Sequence, residues 1–289
     1  MLTVDHLQAV VLVDDAETPG KPELHAQHGL SMYLDMKVGS ETITALMDTG
    51  PSADLLRHNA AAMDVDLNRV QLILLSHGHY DHTGGVLGAL TRGGASIPVV
   101  AHPRTFDPKF SCRPHLRSIG SPVSPSEIQA AGGVVVTATN AVTLGPGILS
   151  SGKVERSTAF EQVDGFWKIE AEQFVPDLLW DDQALIVNLR GQGLVVIAGC
   201  AHAGIINTIH HAQRITGVSR VHAVLGGFHL RNESAERVAA TTHALRTIDP
   251  SFIGPCHCTG PQAVERLKAA FHDRCTPLRV GAIVDVGSI

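Results

Sequence analysis

Apolar and polar positions alternate along this chain in short runs, cut by Gly, Pro or acidic pairs, and that pattern predicts many short strands with helices between them. Residues 8–13, apolar from Ala9 onward, are stopped by Asp14-Asp15 and read as a first strand. Residues 16–27 carry Pro19, Gly20 and Pro22 and read as a loop. A hairpin is predicted next, from 30–38 and 42–47 about a turn at Gly39-Ser40. Residues 52–63 read as a helix capped by Ser52, 70–75 as a buried strand, 83–91 as a short helix and 97–101 as a strand. Residues 106–125 hold four prolines and form the least regular stretch. A short helix at 126–131 and strands at 134–139, 141–144 and from 148 onward follow it. In the second half, 184–189 and 194–198 are apolar strands about a hairpin turn, and 221–225 and 251–253 are further strands. Residues 204–215, 235–245 and 261–272 are helical, the last with Pro261 in its first turn. Strand, then histidine, then helix occurs four times without a linker, so one domain over 1–289 is expected.

The chemistry gathers at strand ends. After the apolar run 72–75 come His77, His79, Asp81 and His82, and then Gly84-Gly85. On an extended backbone His77 and His79 leave the same face and can share an ion. Asp81 repeats that spacing, while His82 falls out of phase and suits a second metal position. Neutral imidazoles with a carboxylate are ligands for zinc, manganese or iron. Histidines stand at later strand ends too, as His202, His229 and His257. Asp48-Thr49-Gly50 closes the hairpin; its surroundings do not support an aspartic protease, and a turn or cap aspartate is the plain reading. His102 reads as a loop histidine, with a place lining the cleft as the alternative. Lys109, Arg113, His115 and Arg117 read as a solvated charged loop, with contact to an anionic substrate as the alternative.

His77-x-His79-x-Asp81-His82 resembles the signature of the metallo-β-lactamase superfamily. With Gly199-Cys200-Ala201-His202, Gly226-Gly227-Phe228-His229 and Pro255-Cys256-His257-Cys258 in that order, the chain is similar to the subgroup named for a dihydropterin–ribofuranosylaminobenzene 5′-phosphate synthase. The resemblance implies an α/β fold, a four-layer αββα sandwich of two mixed sheets. It also implies a mono- or dinuclear metal site. Its ligands would be His77, His79, Asp81, His82, His202 and His257, with two divalent ions, zinc first and manganese or iron next. Asp181 or Asp182 is the alternative to His202, and His229 the alternative to His257. The family's strand-end Gly-Asp is here Gly199-Cys200. Cys200, Cys256 and Cys258 read as buried small apolar residues, with thiolate ligation as the alternative. Asp48 is expected to buttress the histidine loop. Asp81 and His229 are the candidate catalytic residues, Asp81 orienting hydroxide and His229 contacting substrate or donating a proton. Arg156 is the candidate anion clamp, with a surface arginine as the alternative.

The resemblance implies a metal-dependent hydrolase, or a related transferase, acting on a small phosphorylated or pterin-like metabolite. Lactone or thioester hydrolysis is the enzymatic alternative within the fold, and a non-hydrolytic metal-containing binding or redox protein on the same fold is the alternative of a different class. Composition narrows the partners. A net charge of −6 without a Lys/Arg-rich run argues against nucleic acid and leaves a small anionic molecule as the expected partner. No 18-residue apolar span occurs, so no membrane helix is expected. Five cysteines without framework spacing, and no signal-peptide pattern in the stretch from Met1 to His6, suggest reduced thiols and a cytoplasmic protein.

Overall fold

The computed structural model describes residues 2–90 and 96–287. In chain order, β1 (His6–Val13), β2 (Ser31–Val38) and β3 (Glu41–Met47) form an antiparallel meander. Helix α1 (Ala53–Ala62), capped by the Ser52 side chain, leads to β4 (Leu72–Leu74), then to the one-turn helices α2 (Tyr80–Thr83) and α3 (Val86–Ala89), and to β5 (Ile97–Ala101). Strands β6 (Lys109–Ser111) and β7 (Arg117–Ser118), helix α4 (Pro125–Ala130) and β8 (Gly133–Thr137) follow. The second half begins with β9 (Asn140–Gly145), β10 (Ile148–Gly152), β11 (Phe166–Glu170) and β12 (Gln173–Pro176). It continues through β13 (Ala184–Leu189), β14 (Gly193–Ala198), α5 (Ile205–Thr216), β15 (Val221–Gly227) and α6 (Ala235–Ile248). It closes with β16 (Phe252–Cys256), α7 (Pro261–Phe271) and β17 (Ile283–Gly287).

Two mixed sheets form the body. One has the order β17-β1-β2-β3-β4-β5-β8, antiparallel from β17 to β3 and parallel from β3 to β8. The other has the order β16-β15-β14-β13-β10-β9, parallel from β16 to β14 and antiparallel onward. Strand periodicity assigns the layers. Leu7, Ala9 and Val11 of β1 face Leu185 and Val187 of β13 and Val195 and Ile197 of β14 in the core between the sheets. The alternate residues Val10 and Leu12 turn outward onto Leu56, Ala60, Val86 and Ile128 of the first helical layer. Ala184, Ile186 and Val196 turn onto Ile205, Ile209, Val238 and Leu267 of the second. A strand covered on both faces reads as a nearly unbroken apolar run, which is why these strands stand out in the sequence. Burial contributes about 1.5–3 kcal/mol per large apolar side chain, and this drives the αββα stacking.

Several elements differ from expectation. Residues 106–125 are not wholly irregular: β6 and β7 join β11 and β12 in a small antiparallel sheet of order β12-β11-β6-β7. Strands of two and three residues carry no readable period, and their partner β11 lies far along the chain. The edge strand β17 also escaped the sequence pattern. In place of one helix over 83–91 there are the two short turns α2 and α3, broken at Gly84-Gly85; Thr91 lies outside the described residues. Among the described residues no helix is long and apolar enough to cross a membrane.

Candidate metal centre

Parallel pairing of β3 with β4 and of β14 with β15 and β16 brings their C-terminal ends to one edge of the sandwich. The chain leaves these strands through Asp48, His77–His82, Cys200–His202, His229 and His257. Asp48, Ala201, His229 and His257 have φ of 57°, 51°, 46° and 49°, left-handed values rare for residues with a Cβ. Such strain clusters where side chains must be aimed.

Two groups of donor atoms result. In the first, His77 Nε2 lies 2.9 Å from His79 Nδ1 and 3.2 Å from His202 Nε2. In the second, His82 Nε2 lies 3.2 Å from His257 Nε2, 3.2 Å from Cys200 Sγ and 3.6 Å from Asp81 Oδ2. His257 Nε2 is 3.5 Å from the same Asp81 oxygen. The His77 and His82 rings, with centroids 4.2 Å apart, join the groups. The strand geometry expected from the sequence does not hold at Asp81 and His82. Both lie on the single turn α2, where neighbours diverge by about 100°, and that is how they reach one position together.

These donors fit divalent ions. Burial, then the neighbouring histidines, push the His77, His79 and His202 imidazoles well below their usual pKa, so their lone pairs are free. On the far side of these rings, His79 Nε2 and His202 Nδ1 are buried without a hydrogen-bond partner among the described residues. Imidazole, thiol and carboxylate converging in this way match zinc-type ligation.

The outer ring nitrogens of His77, His82 and His257 are held by a fixed network. His82 Nδ1 donates to Asp48 Oδ2 at 2.7 Å. Asp48 also accepts from Ser76 N and Ser76 Oγ, at 2.7 and 2.6 Å. Ser76 Oγ lies 2.9 Å from His77 Nδ1 and is placed to accept its proton. His257 Nδ1 donates to Asp15 Oδ1 at 2.6 Å, and His257 N donates to Asp14 Oδ1 at 2.8 Å. Protons on these Nδ1 atoms leave the Nε2 lone pairs of His77, His82 and His257 facing inward. Burial works against ionisation of Asp15, yet its bonds to His257 and His28 hold it well below the usual carboxylate range. The Asp14-Asp15 pair looks in the sequence like an ordinary strand stop. Its only signal is its position at a strand end.

The alternatives left open by the sequence now have places. Asp181 is engaged elsewhere: Oδ1 accepts from the buried Lys109 ammonium at 2.9 Å and Oδ2 from Gly78 N at 2.8 Å, while Lys109 also pairs with Asp177 at 3.0 Å. Lys109 is therefore not part of a solvated loop; it lies in the interior as the ionic prop of the metal loop. Gly78 must be glycine, because a Cβ there would stand 1.8 Å from Thr105 O. Asp182 accepts from Ala203 N at 2.9 Å, and burial pushes its carboxyl up to about 7. The structure thus brings His202, rather than Asp181 or Asp182, to His77 and His79. It brings His257 to His82 and Asp81, and sets the half-buried His229 beside His202, with ring centroids 4.1 Å apart. Arg156 is not brought to the cluster. Its guanidinium donates to the Leu178 and Leu179 carbonyls and lies 4.5 Å over the Trp180 ring. His102 is buried, with Nδ1 accepting from Arg104 N.

A cavity of about 360 Å³ opens above the donors. His79, Asp81, Cys200, His202, His229 and His257 form its base, and His28, Tyr80, Arg113, Arg117, Phe166 and Arg231 its wall. The arginines that face the cleft are thus Arg113 and Arg117, from the irregular stretch, and Arg231, which no sequence pattern marked.

The comparisons agree with this geometry. The family model described as the metallo-beta-lactamase superfamily matches residues 31–210. The chain is 30% identical to the 7,8-dihydropterin-6-methyl-4-(beta-D-ribofuranosyl)-aminobenzene-5'-phosphate synthase of Methanocaldococcus jannaschii, over 97% of each chain. It is 29% identical to an uncharacterized protein of the same organism, over 89% of this chain and 92% of that one. The crystal structure of Tm1679, a metal-dependent hydrolase of the beta-lactamase superfamily, superposes with a TM-score of 0.81 at 27% identity, covering 98% of this chain and all of that one. With the donor groups, the sandwich and a match over most of the length in agreement, the chain belongs to the metallo-beta-lactamase superfamily.

Proposed function

We propose that this protein is a dinuclear metal-dependent hydrolase acting on a small anionic metabolite that carries a phosphate or a pterin-like ring. The observation that carries this reading is the pair of adjoining donor groups at the base of a cavity walled by Arg113, Arg117 and Arg231. His77, His79 and His202 would hold one ion, and His82, His257 and Asp81 the other. Ions bound there would supply Lewis acidity and lower the pKa of water toward neutrality. The chain's own residues do the rest. Asp81, with Oδ2 3.6 Å from His82 and 3.5 Å from His257, would accept a proton from water and aim its lone pair at the substrate. His229, beside His202 and with its Nδ1 unpartnered among the described residues, would donate a proton to the leaving oxygen. The guanidinium groups suit the oxygens of a phosphate.

The test is metal content of the purified chain, followed by turnover on phosphomonoesters, phosphodiesters and lactones. About two zinc or manganese ions per chain, with turnover on a phosphoester, is the expected result. Turnover on lactones alone would redirect the assignment. A second reading, bond formation rather than hydrolysis, is favoured by the full-length similarity to the synthase, whose named product joins a dihydropterin to an aminobenzene ribosyl phosphate. Product analysis with an arylamine acceptor present separates the two: a condensed product indicates a transferase, and water-derived products a hydrolase.

A further inference from the structure

We propose that Phe166, Ser111 and Arg117 form a substrate-binding row that takes a planar heteroaromatic ring carrying an anionic group. This deepens the hydrolase reading above and rests on it. Strand register puts the three side chains in line. Phe166 of β11 stands opposite Ser111 of β6, and Ser111 stands opposite Arg117 of β7, all in antiparallel pairing. Residues directly opposite one another share a face of the sheet, and all three line the cavity. Two strand spacings separate Phe166 from Arg117, about 10 Å. That is the span of a fused two-ring system with an acidic substituent.

The row is held beside the donor groups. Lys109, two residues before Ser111, lies on the same face of β6. Its ammonium is 2.9 Å from Asp181, whose other oxygen accepts from Gly78 N at 2.8 Å, between His77 and His79. The small sheet is thereby bolted to the histidine loop. The half-buried Phe166 ring stands with its centroid 5.2 Å from His79, 5.0 Å from His202 and 5.8 Å from His229. A flat ring laid on it has one end beside the first donor group and the other toward Arg117. Such a fixed aromatic platform favours planar partners through offset stacking and loses little freedom on binding.

Charge gives the row its direction. Arg231, at the opposite wall, is already bonded to Asp15 and to the His257 carbonyl. Arg113 meets Asp164 only at 3.7 Å, with both side chains more than three-quarters exposed. Its guanidinium lies beside Gly165, where a Cβ would stand 3.5 Å from Arg113 Cζ, and so next to Phe166. The anion-accepting end of the cleft is therefore the small sheet, where Arg113 and Arg117 offer planar donor forks.

The experiment measures binding of two acids to the zinc-loaded chain by calorimetry, with kcat/KM on a phosphoester followed in parallel. One is pterin-6-carboxylate, which is planar; the other is decahydronaphthalene-2-carboxylate, a puckered two-ring acid. Phe166→Ala is expected to weaken pterin-6-carboxylate by roughly tenfold, to weaken the puckered acid far less, and to keep its metal content. Phe166→Trp is expected to hold the planar acid at least as tightly as wild type. Arg117→Ala is expected to weaken both acids by the same few-fold factor. Ile169→Ala, on the opposite and exposed face of β11, is expected to change neither. Equal weakening of both acids in Phe166→Ala, or planar binding that survives it, overturns the proposal. Wild type that turns over a phosphoester but binds neither acid overturns it while leaving the hydrolase reading intact. Wild type that takes up no zinc and shows no turnover overturns that reading itself.

Discussion

The two donor groups are built from the same side chain by different means. His82 and His257 of the second group each give Nδ1 to a carboxylate, Asp48 or Asp15, and point Nε2 at Asp81 and Cys200. The rings of His77, His79 and His202 in the first group have no carboxylate partner among the described residues. They are positioned by backbone: a glycine without room for a Cβ, whose N–H is fixed by Asp181, which is in turn fixed by the buried Lys109. Carboxylate anchors raise imidazole basicity and fix the ring orientation, whereas a backbone prop fixes only position. An ion held at the second group would therefore be tuned through charge, and one held at the first through loop shape.

Substitutions can break that contrast. The largest effect is expected from His202→Ala, which removes a third of the first group. One ion should be lost and turnover should fall by on the order of 1,000-fold, measured by metal analysis and steady-state kinetics. Lys109→Met should follow. It leaves Asp177 and Asp181 buried without their cation, which costs about 3–5 kcal/mol in urea unfolding, and metal loss should begin at the first group. Asp48→Asn should lower affinity by ~10–100-fold at the second group, because the His82 ring loses its anchor. Equal weakening at both groups in competition with a chelator would dissolve the distinction. Asp15→Asn acts on His257 in the same direction but should fall near the tenfold end, since the Asp15 side chain is still 16% exposed. Arg117→Ala, at the exposed rim, should leave metal content unchanged and raise KM only a few-fold, by about 1 kcal/mol or less, with the difference shrinking in high salt.

The histidine loop was legible because its donors are neighbours in sequence, and so was the sandwich, because strands buried on both faces advertise themselves as apolar runs. The props were not. Asp14 and Asp15 resemble any acidic strand stop, and Lys109 resembles any loop lysine, until the fold shows what each touches. Arg156 shows the opposite failure: a suitable side chain near a subgroup motif, yet one bonded to the Leu178 and Leu179 carbonyls.

The sequence by itself determined the apolar strands and the types of donor atom and, through its resemblance, the fold class and the family, because apolar runs and local ligand spacing are properties of short segments. Tertiary structure alone decided that His202 joins His77 and His79 while Asp181 turns to Lys109, that Asp15 anchors His257 across almost the whole chain, and that Cys200 stands between the groups. Such pairings depend on which strand ends meet at one edge of the sandwich. That is set by sheet order and close packing, which no local spacing encodes.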